Sequence, residues 1–211
     1  MNPKKTHIQS LIEQGEHQRL DFKFEISDSR KIARSISAFS NTDGGTLLIG
    51  VKDNGIVSGI RSEEEMYMAE ASAKMYCKPA VDFKATQWSE GGKTVLELKI
   101  PKMMDAICYA ENPDGKWLAY VRVNDNNYLA GAVQMRLWKR KLKAEPTHII
   151  YTEREKILLD HLKNNASTTL SMFCNMAGIS RNSAETILVN LIMLDIVELF
   201  YEEENVFYRM K

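Results

Sequence analysis

The stretch from Gly15 to Gly55 constrains the fold most strongly, because two apolar periodicities follow each other within it. Its first part has an apolar residue at every second position, namely Leu20, Phe22 and Phe24. This alternation predicts a half-buried strand. The next part has apolar residues at helical spacing, namely Ile32, Ile36 and Phe39. An apolar run over 46–51 then predicts a buried strand, and Asn54-Gly55 predicts a hairpin turn.

Helical and strand patterns continue to mix along the chain up to residue 140. We expect helices over 62–77 and 130–140 and strands over 81–88, 93–100, 106–110 and 117–123. The fold class is therefore α+β, with a mixed α/β domain over 1–140.

A different pattern follows a basic segment over 141–150, which we interpret as a linker. Three helical segments and a hairpin follow it within residues 151–211. Their expected first residues or caps are Thr152, Ser167 or Thr168, and Ser180 or Asn182, and the hairpin turns at 202–204. This order resembles a small winged helix-turn-helix domain, a common fold of prokaryotic regulators.

Composition excludes several classes of protein. No apolar run approaches the roughly 18 residues of a membrane span, and the first residues are polar, unlike a secretory signal. The three cysteines, Cys77, Cys108 and Cys174, are far apart and lack CxxC spacing. They indicate reduced thiols, so we expect a cytoplasmic protein without a membrane partner.

The charge is balanced overall but not along the chain. Residues 1–150 carry 22 Lys and Arg against 19 Asp and Glu, whereas residues 151–211 carry 6 against 9. The surplus in the first part is compatible with nucleic acid. The deficit in the second part argues against a phosphate-binding surface there.

Three carboxylates and a lysine suggest a candidate catalytic site: Glu16, Asp21, Lys23 and Asp53. Mg²⁺ or Mn²⁺ takes oxygen ligands, so Glu16, Asp21 and Asp53 are candidate metal ligands, and Lys23 could stabilise charge during phosphodiester cleavage. Each residue also has a structural interpretation. Asp53 could open an Asp-Asn-Gly turn, Asp21 and Lys23 could line a solvated strand face, and Glu16 could be an ordinary loop residue.

The same stretch resembles the Schlafen AlbA-type domain. The matching motifs are Glu16, Asp21-Phe-Lys23, Ser37-Ala-Phe-Ser-Asn-Thr-Asp-Gly-Gly45, Leu47-Leu-Ile-Gly-Val-Lys-Asp53 and Tyr120-Val-Arg-Val123. In members that cleave RNA, the residues matching Glu16, Asp21 and Asp53 form an acidic nuclease triad. This chain has Asp21 where those members have glutamate, and Asn124 where the family usually has glycine.

Many bacterial members of the family are described as DNA-binding or ATP-binding. A Walker loop needs G-x-x-x-x-G-K-[ST] between a strand and a helix. The segment Gly45-Thr-Leu-Leu-Ile-Gly50 has the glycine spacing, but Val51-Lys52 follows it and the segment itself has a strand pattern. The sequence therefore argues against ATP binding.

Several polar and basic residues are candidate nucleic-acid contacts. They are Arg122, Arg136, Lys139, Arg140, Lys141, Arg181 and Asn182. The basic run at 136–143 could equally be a solvated helix end. The acidic hairpin tip at 202–204 favours contact with protein, whereas the helix order favours DNA.

These observations lead to one hypothesis and several alternatives. We expect a nucleic-acid-binding protein, in its narrower form a DNA-binding transcriptional regulator of the Schlafen AlbA type that forms a homo-oligomer. The alternatives are a metal-dependent endoribonuclease that uses the acidic triad, an ATP-binding protein, and a dimerisation module without enzymatic activity. DNA and RNA both remain open as targets.

Overall fold

The computed structural model describes residues 5–144, 150–203 and 205–211. The chain forms two compact units, which divide between Ala130 and Gly131. No helix in these ranges is both long enough and apolar enough to cross a membrane.

The first unit mixes helices with short strands, as the alternating periodicities predict. Its elements are α1 (His7–Ile12), β1 (Leu20–Lys23), α2 (Ser29–Asn41), β2 (Gly45–Ile49), α3 (Glu64–Lys74), β3 (Cys77–Lys78), β4 (Lys84–Glu90), β5 (Lys93–Ile100), β6 (Tyr109–Glu111), β7 (Trp117–Val123) and β8 (Asn126–Leu129). The fold class is therefore confirmed. Strand β8 has no counterpart among the sequence predictions.

Two four-stranded sheets flank α2. One has the order β1-β2-β5-β4, in which only β1 and β2 run parallel, and the other is antiparallel with the order β3-β6-β7-β8. Helix α2 begins at Ser29, after the N-cap Asp28, whose side chain accepts a hydrogen bond of 2.8 Å from the amide of Arg30. The helix buries Ile36 and Phe39 completely. The helix thus supplies apolar side chains to the largest core of the unit.

Polar side chains of α2 fasten the second sheet to it. Asn41 accepts a hydrogen bond from the amide of Cys108 and donates to the carbonyl oxygens of Cys108 and Tyr120, at 2.8, 2.8 and 3.1 Å. Ser37 also donates to the Cys108 carbonyl, at 2.8 Å, and Thr42 accepts from the amide of Arg122 at 3.0 Å. These bonds satisfy backbone groups outside the regular strand ladder.

The second unit contains four helices and a hairpin. Its elements are α4 (Ala132–Lys143), α5 (Glu153–Asn164), α6 (Leu170–Ala177), α7 (Arg181–Met193), β9 (Val197–Glu202) and β10 (Asn205–Met210). Thr152 caps α5 and Ser180 caps α7, as expected, whereas α6 is capped by Thr169 and not by Ser167 or Thr168. Thr168 instead bridges to Tyr208 of β10 through two backbone hydrogen bonds of 2.9 Å.

Helix α4 belongs to the second unit, whereas the sequence interpretation placed residues 131–140 in the first domain and 141–150 in a linker. The physical reason is that Val133 and Leu137 are 2% and 4% exposed within a core that includes Leu158 and Leu188. The helix also continues to Lys143, past the expected linker start. Residues 145–149 of that linker lie outside the described residues.

A buried carboxylate on β5 gives the first unit a predicted pH dependence. Burial alone would raise the pKa of Glu97, but hydrogen bonds from His7 and Trp88, together with the charges of His7 and Lys99, lower the pKa below its ordinary 4.5. A lowered folded-state pKa stabilises the fold above pH 4.5, and this contribution is lost as the pH falls through the folded value.

We therefore expect Glu97→Gln to lower the free energy of unfolding by about 1–3 kcal/mol at neutral pH, as for a hydrogen-bonded buried charge. Urea unfolding of both proteins between about pH 3 and 7 should show the difference shrinking below pH 4.5. Glu13→Gln, at a solvent-exposed ion pair with Lys5, is the matched control and should cost little. A difference for Glu97→Gln that stays constant over the whole pH range would contradict this prediction.

Candidate functional site

The turn before β1 brings Glu16 and Asp21 side by side. His17 and Leu20 exchange backbone hydrogen bonds of 2.9 and 3.1 Å, which fold the chain back on itself. Glu16 Oε1 then accepts a hydrogen bond of 2.8 Å from the amide of Phe22. The Asp21 carboxyl group interacts closely enough with Glu16 to raise its pKa. Two of the three predicted acidic residues therefore meet.

The pKa of Glu16 reflects this arrangement. Burial raises the pKa above its ordinary 4.5, and the hydrogen bond and negative charge of Asp21 raise it further. The amide of Phe22 and the charge of Lys23 lower the pKa, but they do not cancel the rise. Glu16 and Asp21 are therefore a pair of carboxyl groups in which Glu16 keeps its proton more readily than an isolated glutamate.

Two cations balance the charge of Asp21. The side chain is almost completely buried, with Lys23 Nζ 2.8 Å from Oδ2 and Arg122 Nη2 3.3 Å from Oδ1. Lys23 is partly exposed, so it is the member of this group that faces solvent. A buried carboxylate needs such partners, because an unpaired charge in the interior is costly.

Arg122 is not a nucleic-acid contact, which corrects the sequence prediction. Its side chain is 1% exposed and cannot reach a phosphate. The guanidinium donates to the carbonyl oxygens of His17 and Leu20 at 3.2 and 3.1 Å and to Asn127 Oδ1 at 3.2 Å. It also lies 5.0 Å from the ring centroid of Phe39. Arg122 therefore ties β7 to the turn that carries the carboxyl pair.

Asp53 does not complete a metal site with the other two acids. It is exposed in the turn closed by the bonds Gly55 N to Lys52 O and Lys52 N to Ile56 O, at 2.7 and 3.0 Å. Over residues 5–144, 150–203 and 205–211, no three His, Cys, Asp or Glu side chains are grouped so that they could hold an ion. The side chains that meet are two carboxyl groups and two cations, and this set does not fit Mg²⁺ or Mn²⁺.

Basic residues line one face of α4. Arg136, Lys139, Arg140 and Lys143 follow the spacing of neighbours on a helix surface. All four contribute to an open groove of about 470 Å³, together with Leu142, Thr186 and Val189. The predicted cations at 136, 139 and 140 therefore lie together, whereas Lys141 is exposed outside the groove lining.

Helix α7 meets this face through polar side chains. Arg136 donates to Asn182 Oδ1 at 2.6 Å and to Thr186 Oγ1 at 3.2 Å, and it pairs with Glu185 at 3.0 Å. Arg140 donates to Asn190 Oδ1. The arginines of α4 are therefore bonded to the face of α7 that carries Asn182.

Two of the predicted nucleic-acid contacts, Arg181 and Asn182, lie at the exposed start of α7. Arg181 Nε is 3.1 Å from Glu185 Oε1, although most of its side chain is in solvent. Glu185 is 5% exposed, so it is a buried carboxylate held by two arginines. Sequence reasoning missed Thr186, and the available signal was the four-residue spacing of Asn182, Thr186 and Asn190 on one helix face.

The first unit corresponds to a known class of domain. The family described as "Schlafen, AlbA_2" matches residues 16–131. This match covers more than half of the chain, and the chain therefore belongs to that family. The search of curated proteins gave no match.

Two solved structures resemble parts of the chain. The DIP2311 protein of Corynebacterium diphtheriae is 19% identical, with a TM-score of 0.45, over 58% of this chain and 27% of its own. The N-terminal domain of a RecG-related protein of Nitrosomonas europaea is 22% identical, with a TM-score of 0.36, over 46% of this chain and 74% of its own. The chain thus spans about a quarter of the first structure, and neither similarity bears on function.

Proposed function

We propose that this protein binds nucleic acid, and that its second unit is a winged helix-turn-helix. Helices α5, α6 and α7 followed by the β9–β10 hairpin support this assignment, as does the bridge between Thr168 and Tyr208 that adds a short segment beside the hairpin. Gly178 ends α6 in a left-handed conformation and Ser180 starts α7, which gives the tight turn of such domains.

The observation that carries the proposal is the position of the basic face of α4. With α4 included, residues 131–211 hold 11 Lys and Arg against 10 Asp and Glu, and residues 1–130 hold 17 against 18. The deficit assigned to the second part of the sequence therefore disappears. Cations beside α7 provide the phosphate attraction that the acidic turn of the hairpin lacks.

The test is binding of the full chain to labelled duplex DNA, duplex RNA and single-stranded RNA of equal length. We expect binding at about 50 mM salt that weakens steeply towards about 200 mM, because phosphate contacts release counterions. The ranking of the three ligands decides between DNA and RNA. Absence of binding to all three at the lower salt concentration would refute the proposal.

A DNA-binding transcriptional regulator is the narrower form of this function. A regulator must prefer one duplex sequence over others, and dimeric regulators present two copies to two half-sites. Selection from a randomised duplex library and sedimentation of the full chain test these two requirements. An unselective monomer would exclude the regulator form and leave nucleic-acid binding intact.

RNA cleavage is a second candidate function, favoured by the contact between Glu16 and Asp21 beside the partly exposed Lys23. The same RNA ligands, incubated with and without Mn²⁺ and separated on a denaturing gel, test it. Cleavage that Asp21→Asn abolishes would support a nuclease. Intact RNA in the presence of full binding would exclude one.

A further inference from the structure

We propose that the groove between α4 and α7 is the site that holds the phosphate backbone, and that Asn182 and Asn190 do not read bases. This inference rests on the proposed nucleic-acid binding and names the surface responsible. It differs from the usual role of such a domain, in which the second helix of the helix-turn-helix contacts base edges.

The first argument is the geometry of the cations. The span from Arg136 to Lys143 is seven residues, or roughly 10 Å along a helix. One strand of duplex DNA places a phosphate about every 3.4 Å along its axis, so this face can follow roughly three phosphates. Lys139 is exposed, and it has no ion pair within the described parts of the chain. It is therefore available to a phosphate.

The second argument is that the amide oxygens of α7 are already bonded. An asparagine reads adenine by donating and accepting at once, which requires its Oδ1 as well as its Nδ2. Arg136 occupies Oδ1 of Asn182, and Arg140 occupies Oδ1 of Asn190. Although each amide oxygen has a second lone pair, a base edge would have to reach it beside the bound guanidinium, so base recognition in the usual manner competes with the α4–α7 contact.

The third argument is the cost of moving Arg136. Its guanidinium pairs with Glu185, which is 5% exposed. Withdrawing Arg136 would leave this carboxylate with Arg181 as its remaining described ion-pair partner. Removing one partner from a buried charge is strongly unfavourable, so the α4–α7 contact is expected to persist in the complex.

The fourth argument is the charge of the hairpin. Glu202 and Glu203, at its turn, are exposed and would be repelled by phosphate. A complex in which α4 faces the nucleic acid and the hairpin does not would avoid this repulsion. The charge of the groove and the charge of the hairpin turn therefore both favour binding through α4.

The experiment measures the affinity of the full chain for a labelled 20-base-pair duplex between about 50 and 200 mM salt. The test variant is Lys139→Ala with Lys143→Ala, and the control is Lys156→Ala with Lys163→Ala on α5. The control removes the same charge from surface pairs with Glu153 and Asp160 outside the groove. Circular dichroism confirms that both variants are folded.

The slope of log K against log salt is negative, and we expect it to be less steep by about 1.8 in the test variant, since each lost phosphate contact contributes about 0.9. The control should retain the wild-type slope. Unlabelled duplexes of unrelated sequence should compete within about twofold of each other, whereas a site that reads bases would discriminate by about fivefold or more for each mismatched base pair.

Three results would overturn the inference. If the wild type binds and the test variant keeps its slope, the groove is not the phosphate site, although nucleic-acid binding stands. If one duplex sequence is preferred and Asn182→Ala removes that preference, α7 does read bases. If the wild type does not bind at all, the inference fails together with the proposed function.

Discussion

Replacing Arg122 with methionine is expected to lower the free energy of unfolding of the first unit by about 3–5 kcal/mol, the cost of removing one partner from a buried ion pair. Methionine fills similar space but leaves Asp21, which is 2% exposed, with Lys23 as its remaining cation. The substitution also removes the donors to the carbonyl oxygens of His17 and Leu20.

Urea unfolding followed by tryptophan fluorescence measures this effect. Trp88 and Trp117 lie in the first unit and Trp138 lies in the second, so a Trp138→Phe background makes the signal report the first unit. The matched control is Arg34→Met, because Arg34 is exposed and bonds to the carbonyl of Asn127. We expect the control to cost less than about 1 kcal/mol. An equally small cost for Arg122→Met would show that the buried pair does not stabilise this unit.

Replacing Asn41 with alanine is expected to lower the free energy of unfolding of the first unit by about 2–4 kcal/mol. The side chain satisfies the amide and carbonyl of Cys108 and the carbonyl of Tyr120. Alanine would leave these groups without that partner, and an unsatisfied buried polar group costs about 1–3 kcal/mol. Ser37 still donates to the Cys108 carbonyl, which limits the loss.

The same fluorescence assay measures the effect of Asn41→Ala. Asn54→Ala is its control, because Asn54 is exposed and its side chain accepts one hydrogen bond, from the amide of Ile56 at 3.1 Å. We expect the control to stay within about 0.5 kcal/mol of the wild type. If both asparagine variants lose the same small amount, α2 does not hold the second sheet through Asn41.

Periodicity predicted most elements of the first unit correctly, because the hydrophobic pattern of each element depends on its own residues. Arg122 shows where this reasoning fails. Between Val121 and Val123, an arginine in an alternating strand is expected on the solvent face. The chain before β1 and helix α2 cover that face, and this long-range packing has no local sequence signal.

Helix α4 shows a second limit. Its basic residues and the proline that follows indicated a linker, although Val133 and Leu137 have the four-residue spacing of a buried helix face. The partner of that face is α7, more than forty residues further along the chain. The candidate nucleic-acid site therefore could not be assembled from sequence, although its cations lie within the basic run that the sequence singled out at 136–143.

The acidic residues show how far family resemblance predicts the geometry of a site. The family resemblance implied that Glu16, Asp21 and Asp53 form a triad, and Glu16 and Asp21 interact with each other. Asp53 remains in its own turn, because the hydrogen bonds of residues 52–56 hold that segment as a tight loop. Family membership describes the fold of this region, whereas the geometry of each carboxylate has to be observed.

The most direct test of the central claim is a backbone amide NMR titration of the full chain with a short DNA duplex. We predict that the largest chemical shift changes occur at residues 136–143 and 182–190, with small changes at 16–23 and 53. Changes concentrated at residues 16–23, with α4 and α7 unaffected, would contradict the claim and place the nucleic acid on the first unit.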